Sequence, residues 1–322
     1  MRILVLHSDV PPDAPPDEQD TLQQAAAIAR TLSENGHEAV CAAFVPDLEA
    51  TKALVAAAAP DLVVNLVESV WGRGIYSPLG AQMLEEIGMR FTGAPSASLA
   101  TTSNKLLAKR VMRGAGIPTA PWAEGPDWFD LVEGERWIVK SLTEDASLGL
   151  DDDAIVTTRA DASSRAATSI KRFGGRWFAE AYIDGREFNV AVVERAGRPV
   201  VLPIGEMVFS NWEEARPRIV GYAAKWDENA SDYHSTPRVF DWAAKEPKLY
   251  KQLEELAKKC WLLFGCRGYA RIDYRIDGKG QLFVLEVNAN PCLEPDAGFA
   301  AAASQAGIAY AELIAIVIDA AA

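Results

Sequence analysis

The chain is poor in the residues that build soft-metal and redox centres. It has four cysteines (Cys41, Cys260, Cys266 and Cys292) and three histidines in 322 residues. No two cysteines form a CxxC pair, and no Cys/His spacing matches a metal-binding motif. Isolated thiols of this kind fit a reducing, cytoplasmic setting. Basic residues are also scarce: 32 Lys and Arg stand against 45 Asp and Glu, for a formal net charge of -13. Sequence-independent binding to DNA or RNA relies on lysines and arginines that neutralise phosphates, so no nucleic-acid partner is expected. A local basic pocket for a small anion remains compatible with that balance. Long apolar runs are missing as well. "ALVAAAAPDLVVNLV" and "AELIAIVIDAAA" are too short or too interrupted to span a bilayer. The opening "MRILVLHSDV" reads as a first strand rather than a signal peptide. No membrane partner, tandem repeat or low-complexity tract is expected.

What is present suits a protein of two or three lobes, each with its own core. "RILVLHS" is a short run rich in branched residues, as a buried parallel strand requires. "TLQQAAAIARTLSENGHEAV" has helical spacing, with Asp20 or Thr21 as N-cap and Gly36 as stop. A strand follows in "EAVCAAFV", then a helix over about 48–59, the strand "DLVVNLVE", a helix over 78–88 and the short strand "MRFTG". This alternation predicts an open α/β lobe that binds ligands at the carboxyl ends of its strands. After Gly93 the character changes. A helix runs to Gly114 or Gly116, and strands follow in "RWIVKS", "AIVTT" and "RWFAEAYI", with a polar helix near 161–173. From "REFNVAVVERAGRP" onward the pattern is antiparallel. Helices over about 246–264 and 304–320 complete the chain. The class is α/β, with α+β character in the C-terminal part.

"GYARIDYRIDGKGQLFVLEVN" is two strands around "DGKG", a strong hairpin signal. Side chains alternate along a strand, so Arg271, Asp273 and Arg275 share one face. Glu286 and Asn288 share a face of the return strand, opposite Phe283, Leu285 and Val287. With the turn centred on Gly278 and Lys279, Asp273 pairs with Val284 and Arg271 with Glu286. Four polar side chains then converge on one side of the ribbon. Two carboxylates and an amide oxygen suit a hard divalent cation. The other reading of the same pattern is a cross-strand Arg271–Glu286 ion pair on a solvated face. Glu286 and Asn288 sit in a strongly apolar stretch, where an unpaired carboxylate is costly, and that favours the cation.

The hairpin resembles the metal-binding hairpin of the ATP-grasp carboxylate–amine ligases, most closely the D-alanine–D-alanine ligase branch. Four more segments are similar to that family, in the same order: "MRFTGAPSASLATTSNKLLAKRVMRGAGIPTAPW", "RWIVKSLTEDASLGL", "WFAEAYIDGREFNVAVV" and "AGIAYAELI". The resemblance implies an N-terminal open α/β lobe (1–94), a central ATP-grasp subdomain (95–184) and a C-terminal subdomain with the hairpin (185–322). It implies ATP and one or two Mg²⁺ as cofactors, with Mn²⁺ a compatible substitute. Asp273, Glu286 and Asn288 would hold the metal, and Arg271 would stabilise charge on the acyl phosphate and the tetrahedral intermediate. Lys105 and Lys140 would contact the α- and β-phosphates. Glu180 and the backbone of Ala181, Tyr182 and Ile183 would meet the adenine edge, and Glu187 the ribose. Lys225 would reach the γ-phosphate, and Ser147 would lie in a loop closing over the phosphates. The implied reaction joins a carboxylate, activated as an acyl phosphate, to an amine of an amino acid or small peptide. A homodimer is implied by the resemblance alone.

The sequence departs from that branch at the substrate end. Where the family has a small, Ser-containing loop for the acceptor carboxylate, this chain reads "NPCLEPDAGFAAAA", which brings in Glu294 and Asp296. Like charges repel, so the acceptor is expected to differ from D-alanine and to carry positive charge. Trp226 stands where the family has a tyrosine and can donate only through its ring N–H. Glu18 or Asp20, with Glu68 as a second candidate, would hold the first substrate's ammonium. Two other functions stay open: an ATP-grasp enzyme that modifies a protein side chain or C-terminus, and a relative that binds nucleotide without turnover.

Overall fold

The computed structural model describes residues 1–322. Three sheets organise it. The first is parallel, in the order β2-β1-β3, from β1 (Arg2–His7), β2 (Glu38–Ala43) and β3 (Leu62–Leu66). Its helices are α1 (Pro16–Glu34), α2 (Leu48–Ala58) and α3 (Pro78–Glu86). Strand β1 is buried on both faces. Leu4 and Leu6 enter one core, Ile3 and Val5 another, which is why the run has no polar alternation.

Helix α1 begins at Pro16, four residues before Asp20, the earlier of the two expected caps. Pro16 fits its first turn, where a missing N–H costs nothing, so Asp20 and Thr21 lie on the inner face instead and are buried. "MRFTG" makes a single bridge, Val63 with Phe91, rather than a strand. The single helix expected to end at Gly114 or Gly116 is two: α4 (Ser96–Thr102) and α5 (Lys105–Gly114). The break comes from Asn104, whose side chain caps α5 by accepting the Leu107 N–H at 3.0 Å.

The second sheet, β4-β7-β5-β6, is antiparallel. It consists of β4 (Trp122–Glu124), β5 (Trp137–Ser141), β6 (Ile155–Val156) and β7 (Trp177–Ala181), backed by α6 (Arg159–Phe173). The third runs β11-β10-β8-β12-β13, with β9 also on β8. Its strands are β8 (Gly185–Arg195), β9 (Arg198–Val201), β10 (Gly205–Met207), β11 (Arg238–Val239), β12 (Tyr269–Asp277) and β13 (Leu282–Asn288). Between β10 and β11 lie the short helices α7 (Tyr222–Trp226) and α8 (Ser231–Ser235); α9 (Pro247–Phe264) precedes β12. The expected closing helix is a pair, α10 (Gly298–Gln305) and α11 (Tyr310–Asp319), broken at Gly307, whose φ of 78° a glycine adopts without strain. Both pack against the first lobe and β8: Phe299, Leu313 and Val317 share a core with Ile3, Val5 and Ile28. No single helix is long and apolar enough to cross a membrane.

The hairpin register differs from the expected one. Asp273 pairs with Glu286, not Val284, and Arg271 with Asn288, not Glu286. Asp277 accepts the N–H groups of Lys279 and Gln281, and the turn it shapes shifts the register by one residue. A bulge at Leu285, between the Asp273 and Tyr274 pairings, adds a second. One slip would flip every side chain; two restore the face. Glu286 and Asn288 therefore stay beside Asp273 and Arg271, while Phe283 moves to the Arg275 side and Val284 enters the core.

Candidate active site

The second and third sheets face each other across a cleft of about 800 Å³ that is closed at one end by the first lobe. The floor is one face of the third sheet. Register rows cross it: Glu286, Asp273, Asn189 and Gly205 in one, Phe283, Arg275, Glu187, Met207 and Arg238 in the next. Asp273 is buried among donors. Arg271 reaches it with Nε and Nη2, each at 2.9 Å, and Asn189 donates Nδ2 at 2.9 Å. Glu286 is faced by cations. Burial opposes its charge, but Lys105, Lys140, Arg271 and Lys225 outweigh that and hold the carboxyl down at about 2. Asn288 turns its Oδ1 to the Asn290 N–H at 3.0 Å. Asp273, Glu286 and Asn288 thus offer hard oxygens from two facing strands, a donor set that fits Mg²⁺ and has no soft ligand in it.

Lysines line the opposite wall. Lys105 opens α5 and is nearly buried; its Nζ donates to Asp145 Oδ1 and the Glu144 carbonyl, both at 2.8 Å, and lies 3.9 Å from Glu286. Lys140, at the end of β5, pairs with Glu180 on β7. Lys109, one turn after Lys105, is fully buried and pairs with the same Glu180. It also donates to Thr119 Oγ1 at 2.7 Å and to the Ala120 carbonyl at 3.0 Å. Burial works against the Glu180 charge, but the two lysines outweigh it and hold its carboxyl below the ordinary range. After Ala181 the strand ends. The Ile183 N–H has no acceptor within the chain, and its carbonyl accepts from Arg275 at 3.3 Å. Glu187 is paired with Arg275 at 2.7 Å.

Two loops roof the cleft and are tied to each other. Ser147 donates Oγ to the Val220 carbonyl at 2.8 Å, and the Trp226 ring N–H goes to the Ala146 carbonyl at 3.0 Å. Both groups were expected to face ligand; their donors are instead committed to holding the loops together. Tyr222 donates its hydroxyl to Asp17 at 2.7 Å, which ties α7 to α1. Gly74 donates its N–H to Glu144 Oε2 at 2.9 Å. A Cβ on Gly74 would lie 2.8 Å from the Thr143 carbonyl, so only glycine permits that approach.

Acidic groups gather at the first lobe's end of the cleft, where Asp20, Glu68, Glu294 and Asp296 all line it. Glu68 accepts Gln24 Nε2 at 2.9 Å. Burial, with Asp20 and Asp145 nearby, pushes it up to about 7 against that hydrogen bond. Burial, a hydrogen bond to Asp20 and the charges of Asp20 and Asp296 push Glu294 up to about 8, so it keeps its proton at neutral pH. The Cys292 thiol donates to Asp20 at 3.2 Å.

A family model described as "D-ala D-ala ligase C-terminus" matches residues 135–319, more than half of the chain. The chain belongs to the D-alanine–D-alanine ligase family. It is 29% identical to the D-alanine–D-alanine ligase of Moorella thermoacetica over 335 residues, which covers 99% of this chain and 98% of that one. It is also 29% identical to the uncharacterized protein y4sG of Sinorhizobium fredii, over 95% of this chain and 89% of that one. The crystal structure of D-alanine–D-alanine ligase from Bacillus anthracis complexed with ATP has the same fold. Its TM-score is 0.75 at 21% identity, with 99% of this chain and 97% of that chain covered. The family's fold is ATP-grasp, and its members are ATP-dependent ligases that form C–N bonds.

The cleft brings together every ligase-family position singled out in the sequence: Lys105, Lys140, Ser147, Glu180, Ala181, Tyr182, Ile183, Glu187, Lys225, Trp226, Arg271, Asp273, Glu286 and Asn288 all line it. Glu18, the alternative to Asp20, lines it too. Sequence reasoning missed Lys109, Asn189, Arg238 and Arg275. Lys109 had a local signal: it follows Lys105 by four residues on the face that buries Leu106, Ala108 and Met112. Arg275 was placed on the right face, but the partner that gives it meaning lies 88 residues away.

Proposed function

We propose that the protein is an ATP- and Mg²⁺-dependent ligase that joins the carboxylate of one amino acid or small peptide to the amine of another. The observation that carries this reading is the register of the ribbon: Asp273 stands opposite Glu286, beside Arg271 and Asn288, with Lys105, Lys140 and Lys225 around the same cleft. Asp273, Glu286 and Asn288 would hold the metal, which when bound neutralises and aligns phosphate oxygens.

The chain's own residues do the rest. Lys105 and Lys140 offer positive charge for the nucleotide's phosphates, and Glu180 fixes the direction of Lys140. The unpaired Ile183 N–H suits a purine acceptor, and Glu187 at the adjoining strand suits ribose hydroxyls. The substrate carboxylate attacks the γ-phosphorus and ADP leaves, giving an acyl phosphate; the amine then attacks the acyl carbon, loses a proton and displaces phosphate. Arg271 balances negative charge in both steps. The roof made by Ser147, Trp226 and Tyr222 excludes water that would hydrolyse the acyl phosphate. Asp20 and Asp296, with Glu68 beside them, make the acceptor end acidic, which favours an amine substrate with a further cationic group over D-alanine. The bonds that tie the two roof loops together, Ser147 to Val220 and Trp226 to Ala146, favour small substrates over a protein chain.

Phosphate release from ATP, measured over pairs of amino acids, tests the reading. Turnover is expected only with particular pairs. Asp273→Asn is expected to lower it by about a hundredfold, since it removes the negative charge and one carboxylate oxygen from the metal's donor set. Nucleotide binding without turnover by any pair would overturn the ligase reading. Family-typical synthesis of D-alanyl-D-alanine would overturn the acceptor assignment.

A further inference from the structure

A second cavity opens beside the cleft. It holds about 560 Å³ and shares Glu18, Ser69 and Gly72 with the cleft, so the two adjoin. Its walls come from the carboxyl ends of the parallel strands: Asp9 and Pro11 after β1, Phe44–Pro46 after β2 and Ser69–Gly72 after β3. An open parallel sheet places ligands there, above a central strand with a neighbour on either side. The Ser8 hydroxyl accepts the N–H groups of Glu68 and Ser69, both at 3.0 Å, and so holds the ends of β1 and β3 together. The phosphate lysines and the ribbon carboxylates lie outside this chamber.

Trp71 marks the chamber as a contact surface. Val70 and Arg73 pair across a tight turn, and Trp71 and Gly72 at its tip have φ of 53° and 66°. Glycine adopts that conformation freely, but a tryptophan is strained in it. The residue is also 72% exposed. Tyr76 meets its ring edge to face, with centroids 5.8 Å apart, which fixes its orientation. A strained turn that keeps an indole out of the core makes sense as a ligand contact. Around it, Pro11, Val45 and Pro46 share the chamber with two carboxylates, Asp9 and Glu18, and no Lys, Arg or His lines it. Burial and the charges of Asp17 and Glu144 raise the Glu18 carboxyl, a repulsion that a bound cation would relieve. An apolar stem with a cationic head fits these walls: the stem lies on proline and valine, and the head meets an indole and two carboxylates. The space is far larger than the methyl group of alanine needs.

We propose that the chamber holds the side chain of the substrate whose carboxylate is activated, and that it selects a long side chain with a cationic end, of the lysine or arginine kind. This rests on the ligase reading above and names the class of its first substrate. Glu18 stands where chamber and cleft meet, so one molecule places its carboxylate in the cleft and its side chain in the chamber.

The test uses the full chain with ATP, magnesium and hydroxylamine as the amine, which captures the acyl phosphate as a hydroxamate and releases phosphate. Arginine, lysine, norleucine, phenylalanine and alanine of both chiralities serve as the carboxylate substrate. Arginine or lysine of one chirality is expected to have a KM about tenfold or more below norleucine and alanine. Trp71→Ala and Asp9→Asn change exposed side chains outside the cleft, so both variants are expected to fold with a Tm close to that of the wild type. Each is expected to reduce the preference for a cationic side chain by about threefold or more. Equal KM values for the cations and norleucine, a lower KM for phenylalanine than for either cation, or a preference unchanged in either variant overturns the proposal. If no amino acid yields a hydroxamate, it is the ligase reading that fails, and calorimetric titration of the same amino acids with a non-hydrolysable ATP analogue present judges the chamber. Cation-selective binding that weakens in both variants upholds it. Equal binding of cations and norleucine, or no binding, overturns it.

Discussion

At the scale of single residues, the site depends on charges that are buried in opposed pairs. Glu180 sits between Lys109 and Lys140; Glu180 and Lys109 are buried and Lys140 is largely so. Removing one partner of such a group leaves the other charge unbalanced, which typically costs about 3–5 kcal/mol. Lys109→Met is therefore expected to lower unfolding stability by an amount of that order, read by urea denaturation, although Lys109 does not line the cleft. A loss no larger than that of an exposed lysine would remove Glu180 from its supporting role. Glu294 behaves oppositely. Its carboxyl is raised from 4.5 to about 8 in the fold, so the folded state binds its proton more tightly than the unfolded chain does. That contribution to stability is complete below the unfolded value and is lost as the pH rises through about 8. Glu294→Gln removes the dependence: its Tm should match the wild type near about pH 4.5 and exceed it near about pH 8.5. Parallel pH–Tm profiles would contradict the proton assignment.

At the scale of elements, closure of the roof depends on a few contacts between distant segments. The Tyr222 hydroxyl on Asp17 joins α7 to α1 across 205 residues. Tyr222→Phe removes that bond, worth about 1 kcal/mol net, and should shift the roof toward open by about fivefold. The expected signs are faster proteolysis in residues 208–236 and a raised KM for ATP, with little change in Tm. Unchanged proteolysis would show that the latch does not hold the roof. The elements also show what the sequence could and could not reveal. The polar face of the hairpin was legible because strand alternation is a local property that Asp273, Glu286 and Asn288 carry in their spacing. Their partners were not legible. The longer turn at Asp277 and the bulge at Leu285 each moved the register by one, and neither has a strong sequence mark. The start of α1 at Pro16 and the break at Asn104 were misplaced because capping competes over a few residues with several acceptable polar side chains.

At the scale of the whole molecule, the cleft exists because the first and third sheets share two continuous cores, while the second sheet keeps a core of its own. Leu4, Leu6 and Val63 of the first lobe pack with Ile272, Tyr274 and Val284 of the ribbon. On the other side, α11 returns to α1. These contacts fix the acidic end against the ribbon. Recognition of the family came from motif order along the chain, but Lys109 and the chamber beside Trp71 emerged only from the packed molecule. A buried lysine on a helix reads like a solvated one, and Trp71 gains meaning only from Asp9 and Val45, which lie much earlier in the chain. The central claim is that oxygens from both arms of the ribbon hold a metal that the nucleotide's phosphates share. Calorimetric titration of the protein with a non-hydrolysable ATP analogue, in magnesium and again in chelator, tests it most directly. Binding should be about tenfold or more tighter with magnesium, and Asp273→Asn combined with Glu286→Gln should abolish that difference. Equal affinity in magnesium and chelator for the wild type, or a magnesium dependence that survives both substitutions, would contradict it.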